Sequence, residues 1–192
     1  MRLVEHSLSI TIGSLAIACA SPKSTPDNTT PPNTDVDAPP VAGQTPPTGA
    51  TAVEAWLATG AYKTWACEPS PHASRSPSPH GFNRICSNAV IAQNVTGTGA
   101  WPVGAAAVKE LFASATASTP LGYAVYLKTA ADSAGGASWY WYERIETDLI
   151  ADGRGDSGPA RRICVGCHED AGSDAANTPS PHARDQVFTP VR

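Results

Sequence analysis

Ser138-Trp139-Tyr140-Trp141-Tyr142-Glu143-Arg144-Ile145 is the stretch on which the reading of the fold turns. An aromatic run ending in a β-branched residue favours a pleated strand, in which neighbouring side chains project to opposite faces. Alternation then puts Trp139, Trp141 and Glu143 on one face and Tyr140 and Tyr142 on the other. Two more runs, Ala105 to Phe112 and Tyr123 to Thr129, read the same way. Turn-forming breaks, Ser118-Thr119-Pro120 and Ser133-Ala134-Gly135-Gly136, separate the three. Val53 to Thr59 reads as a short helix with Val53, Trp56 and Leu57 on its apolar face. The expected fold class is mainly β (α+β), an antiparallel sheet with a short N-terminal helix, and a four-helix arrangement is disfavoured.

Upstream of the helix the character changes. Residues 1–18 read as a signal peptide, with Arg2 at a basic start and an apolar run from Leu8 to Ala18 too short to span a bilayer. Cys19 follows Leu15-Ala16-Ile17-Ala18, a lipobox-like order, although Leu15 sits one place early and Glu5 is unusual in a basic region. Cys19 is expected to carry a lipid; ordinary cleavage leaving an odd thiol is the alternative. Residues 19–52, rich in Pro and Thr, lack the apolar surface to offset ordering entropy and read as a disordered tether. Residues 53–192 suffice for one modest core. The chain is thus expected to be exported to the periplasm or outer membrane and anchored by lipid. A net charge of −4 without a basic cluster argues against nucleic acid.

The 192 residues contain five cysteines. An oxidising compartment favours a disulfide between Cys67 and Cys86, the alternative being two unpaired buried thiols. Cys164-Val165-Gly166-Cys167-His168 is the c-type haem attachment pattern. Cysteines three apart present both sulfurs on one side of a helical turn, matching the two vinyl groups of one porphyrin, and the adjacent His168 is the metal ligand. A thioredoxin-like pair would need a βαβ context, which is lacking. A structural zinc site would use Cys164, Cys167, His168 and His182. The expected cofactor is one covalent haem c per chain, under the sheet, with the attachment turn C-terminal. Met1 is the sole methionine, so a His/Met iron is excluded once the signal is removed. Sixth-ligand candidates are His72, His80 and His182, each in a Ser-Pro-His triplet, or a lysine; otherwise the position is open.

The ordered series Arg84…Asn88, Trp101-Pro102-Val103-Gly104, Val108-Lys109-Glu110, Gly122-Tyr123, Trp139 to Glu143, Cys164 to His168 and Asp185-Gln186-Val187-Phe188-Thr189 resembles the cytochrome P-four-sixty family, which includes the β-sheet cytochromes called c-prime-beta. The resemblance runs from about Trp65 onward. It implies a five-coordinate mono-haem iron on an antiparallel sheet. Some members bond a lysine to the porphyrin and oxidise hydroxylamine; others bind nitric oxide or carbon monoxide.

The matching lysine is Lys109, which on a strand shares a face with Ala105, Ala107 and Leu111. The plainer reading lays its stem along the sheet with its head in solvent. Arg84 matches the family's distal arginine, and a surface ion pair is its alternative. The family's distal carboxylate position falls at Ala124, which cannot move a proton; Glu143 and Glu110 are the substitutes to consider. The expected partners are a small-molecule or gas ligand, a redox protein and the membrane; a homodimer is left open. The competing functions are a non-enzymatic electron carrier with a His or Lys sixth ligand, and a zinc-binding structural lipoprotein.

Overall fold

A computed structural model describes residues 45–75, 78–172 and 180–192. The expected signal peptide, Cys19 and most of the expected tether lie outside the described residues. Helix α1, Ala50–Thr59, begins inside the stretch expected to be tether and ends at Gly60, which takes a left-handed conformation (φ 69°) suited to glycine. No helix among the described residues is long and apolar enough to cross a membrane.

The remainder is an antiparallel sheet: β1 (Ala66–Cys67), β2 (His72–Ala73), β3 (Phe82–Ser87), β4 (Ala106–Phe112), β5 (Gly122–Lys128), β6 (Trp139–Ile145) and β7 (Asp148–Arg154). The strand order is β1-β3-β4-β5-β6-β7, with β2 also paired to β3. A short helix α2, Ala89–Gln93, follows β3, its first turn capped by the Asn88 side chain. The three expected strands are present as β4, β5 and β6, within a residue or so at each end. Strands β3 and β7 were not anticipated. Polar Asn83, Arg84, Asp152 and Arg154 interrupt them, and β7 lies at an edge where one side of the ladder meets solvent.

Pleating sorts the residues into two layers. On one face, Val53 and Leu57 of α1 and Tyr62 pack with Cys86, Val108, Val125, Leu127, Tyr140 and Tyr142. Burying each aliphatic side chain contributes about 1.5–3 kcal/mol. Polar bonds fix the helix to this face. Asp152 of β7 accepts from the Ala50 amide at the helix start, and Arg144 of β6 pairs with Glu54. Trp56, expected among the apolar anchors, is half-buried and stacks near Tyr62 and Trp65 at the rim. Cys67 and Cys86 face each other across β1 and β3 and form the expected disulfide. Closing a loop of this length restricts the unfolded chain by about 3 kcal/mol in the entropic account.

The other face carries Ile85, Ala107, Tyr126, Trp139, Trp141 and Ala151, and packs against Ala160, Cys164, Val165 and Val187 from the C-terminal third. There a π-helical turn, Ala160–Val165, runs into a last α-helical turn, α3, Gly166–His168. Glycines let this segment approach the sheet. A Cβ on Gly155 would overlap the Gly136 carbonyl oxygen and lie 2.6 Å from Val165 Cγ2. Gly155→Ala is therefore expected to lower unfolding free energy by about 1–3 kcal/mol in urea denaturation. Gly166→Ala, whose Cβ would sit 3.7 Å from the nearest atom, should change it by less than about 1 kcal/mol.

Candidate functional site

The C-terminal segment and the second sheet face enclose a cavity of about 300 Å³. Its lining includes Ile85, Ala107, Lys109 and Tyr126 from the sheet, Gly166, Cys167 and His168 from the Cys-x-x-Cys-His motif, and Phe188. Lys109 and the motif, 55 positions apart at their nearest, thus meet at one space. Strand alternation delivers the lysine: Ala107 and Lys109 point to this face, Val108 and Glu110 to the helix face.

His168 is held on several sides. Its Nδ1 bonds the Gln186 carbonyl at 2.6 Å, which leaves Nε2 as the remaining ring nitrogen. Its ring meets Trp141 edge-on at 4.8 Å between centroids and Phe188 at 5.4 Å. Burial, then the nearby Lys109 charge, push its pKa down to about 3 against the opposing bond to Gln186, so the imidazole is neutral. Cys164 and Cys167 are both free thiols, not bridged to each other. Burial, reinforced by Glu143 and Cys167, pushes the Cys164 thiol up to about 12. Cys164 packs in the core beside Val165, whereas Cys167 lines the cavity.

Lys109 keeps part of its surface open to the cavity. Burial lowers its pKa to about 8, although Glu143 and Cys167 favour the charged form. The register across the central strands explains the first of these influences. Lys109 stands opposite Ala124, and Ala124 opposite Glu143. The lysine and the carboxylate are thus two strands apart on one face, about 10 Å between backbones, with only a methyl group between them. Glu143 Oε1 lies 3.2 Å from His80 Nδ1, close enough for an ion pair although not aligned as a hydrogen bond. His80 itself lines the cavity.

Of the three Ser-Pro-His histidines, His80 alone reaches this cavity. His72 is engaged with Glu68 at 3.0 Å and with its neighbour's carbonyl. His182 sits in a separate groove with Thr96 to Gly99 and Arg184. Among the described residues no three His, Cys, Asp or Glu side chains converge to hold a metal ion.

Arg84, expected over the same site as Lys109, is on the opposite face of the sheet. Its Nε donates to Glu110 at 2.7 Å, and Glu110 also accepts from the Tyr62 hydroxyl at 2.6 Å. The cause is parity: Arg84 alternates with Ile85, so when Ile85 faces the cavity, Arg84 faces the helix layer. Glu110 is removed from the cavity for the same reason. Sequence reasoning thus held Glu143 and Glu110 as equals, and the pleat separates them. It missed the pairing of Glu143 with His80, for which the sequence carries no signal, because 63 positions separate them. The arginine that does line the cavity is Arg75, which bonds Glu68.

The lysine's lowered pKa gives a direct test. Amine acylation followed by mass spectrometry should show Lys109 reacting with a midpoint near pH 8. With the folded pKa below the unfolded one, the unfolded chain binds the extra proton between about 8 and 10.5. The lysine's contribution therefore rises with pH through that window and is lost as pH falls to 8.

Compared with models of known protein families, with characterised proteins and with solved structures, the chain matches none.

Proposed function

We propose that this chain is a mono-haem c-type cytochrome whose open or weakly filled distal site binds or redox-converts small nitrogen species or diatomic gases such as hydroxylamine, nitric oxide or carbon monoxide. The observation that carries the reading is the meeting of Cys167, His168 and Lys109 at one largely apolar cavity. The donor set fits a covalent haem: two unbridged thiols three residues apart, and a neutral imidazole with one nitrogen already satisfied. Bound there, the haem would supply a redox-active iron able to take a small ligand.

The chain's own residues divide the remaining tasks. Cys164 and Cys167 would hold the group covalently and His168 would ligate the iron. Ile85, Ala107, Tyr126 and Phe188 exclude water from the space. Lys109 offers an amine that is partly neutral near pH 8; bonding of that amine to the porphyrin is what the family resemblance adds. His80, beside the buried Glu143 carboxylate, would take a proton from a ligand in the cavity, and the carboxylate would stabilise the resulting charge. Ala124 cannot do this, and Glu110 lies on the wrong face. Export, a lipid on Cys19 and a redox partner protein belong to the same proposal.

A second reading has its own observation. His80 lines the same cavity as His168, and a His sixth ligand from there would make the protein an electron carrier. The zinc reading has less support, since His182 sits in a different groove from Cys167 and His168.

Protein matured with haem-attachment machinery should give one thioether-linked haem per chain by pyridine haemochrome analysis. Its ferrous spectrum should change on adding carbon monoxide or nitric oxide. Cys167→Ala should lose the stable linkage. If hydroxylamine is a substrate, His80→Ala and Glu143→Gln should each lower turnover by about 100-fold while retaining carbon monoxide binding. A colourless, iron-free mature protein would overturn the proposal, and a six-coordinate resting spectrum insensitive to carbon monoxide would favour the electron carrier.

A further inference from the structure

The deepest ion pair among the described residues lies on the cavity face of the sheet, among residues to which the proposed function gives no role. Lys128, at the end of β5, has a side chain with no solvent exposure, and its Nζ is 2.8 Å from Asp185 Oδ2. Asp185 accepts three further hydrogen bonds: from the Trp101 amide at 2.8 Å, the Ser133 hydroxyl at 2.5 Å and Trp139 Nε1 at 3.2 Å. Four separate parts of the chain thus converge on one carboxylate. Burial by itself would raise the pKa of Asp185, but the bonds from Lys128, Ser133, Trp101 and Trp139 outweigh it and keep the group ionised.

The backbone at this point is unusual. Arg184 and Val187 bond each other in both directions across a two-residue turn, and the central residues, Asp185 and Gln186, have φ of 40° and 71°. Turns with both central residues in this region strongly favour a glycine at the second position, because other side chains are strained there. Here Gln186 occupies it. The turn persists because the Asp185 side chain is held from all sides. What the turn presents inward is the Gln186 carbonyl, the acceptor for His168 Nδ1.

We propose that Asp185, clamped by Lys128, is the positioning residue for His168. By fixing the strained turn it aims the Gln186 carbonyl at Nδ1, selects the tautomer with the proton on Nδ1, and directs Nε2 as the free electron pair. A simple structural anchor for the C-terminal segment would stabilise the fold without governing the ring. The clasp does both, and the consequences for the imidazole separate the two. That the clasp also tunes an iron's electron affinity rests on the haem reading; its control of the tautomer does not.

The test uses full-length protein with ¹⁵N-labelled histidine, in the carbon-monoxide-bound ferrous form, which is diamagnetic, if haem is present. Wild type should show His168 as a single Nδ1-protonated tautomer. Asp185→Asn and Lys128→Met should speed exchange of the Nδ1 ring proton and shift the Nδ1 resonance, with a tautomer mixture where no iron holds Nε2, and Ser133→Ala should give a smaller change in the same direction. In haem-loaded protein the same variants should shift the reduction potential upward, because losing the Nδ1 bond weakens the ligand. Ser133→Ala, which removes only one hydroxyl, keeps the test decisive if the charged-pair variants do not fold. Unchanged His168 signals in every variant that folds, as judged by near-UV circular dichroism, would overturn the proposal. Absence of haem in wild type would sink the haem reading alone, and the tautomer result would still decide the clasp.

Discussion

Strands β4, β5 and β6 are buried on both faces, and that double burial constrains everything else. Each residue of these strands belongs to one of two layers, and a shift of one position would exchange the layers wholesale. The helix layer takes Val108, Val125, Tyr140 and Tyr142; the cavity layer takes Ala107, Tyr126, Trp139 and Trp141. Because each set is fitted in size to its own covering layer, either slip would mismatch both layers, so the register is strongly specified. The positions of Lys109 and Glu143 follow from it without further adjustment.

Within that frame, charge is distributed with the same economy. The helix layer holds a neutralised set, Tyr62 and Arg84 around Glu110, in which Glu110 has a partner on each oxygen. The cavity layer holds two groups of different character. Lys128 and Asp185 are fully engaged; removing either partner would leave a buried charge, at a cost of about 3–5 kcal/mol. Lys109, His80 and Glu143 are only partly satisfied, and they border the cavity. Full satisfaction suits a scaffold, whereas spare hydrogen-bonding capacity next to an apolar space suits chemistry.

Close backbone approach completes the site. Gly136 and Gly155 bring the segment bearing Cys164 and Val165 against the sheet, and the strained turn at Asp185 and Gln186 brings a carbonyl to His168. Neither device contributes a reactive group. Each places one, which is why side chains from β4, α3 and the C-terminal segment share a single small volume.

The sequence by itself determined the class of fold, the three central strands, the short helix, the Cys67–Cys86 pair and the Cys-x-x-Cys-His spacing. All of these are local: alternation, aromatic and β-branched content, turn residues and cysteine spacing are written within a few positions of one another. It also placed Lys109 on an apolar strand face, because parity along one strand is legible without a partner. Only the tertiary structure decided what requires a neighbour. Arg84 fell on the opposite face because its parity is set by pairing with β4. His80 came to Glu143, and Asp185 to Lys128, across loops whose closure no periodicity records. Side-chain alternation can be read from one strand alone, but which face looks into the cavity depends on how all the strands assemble.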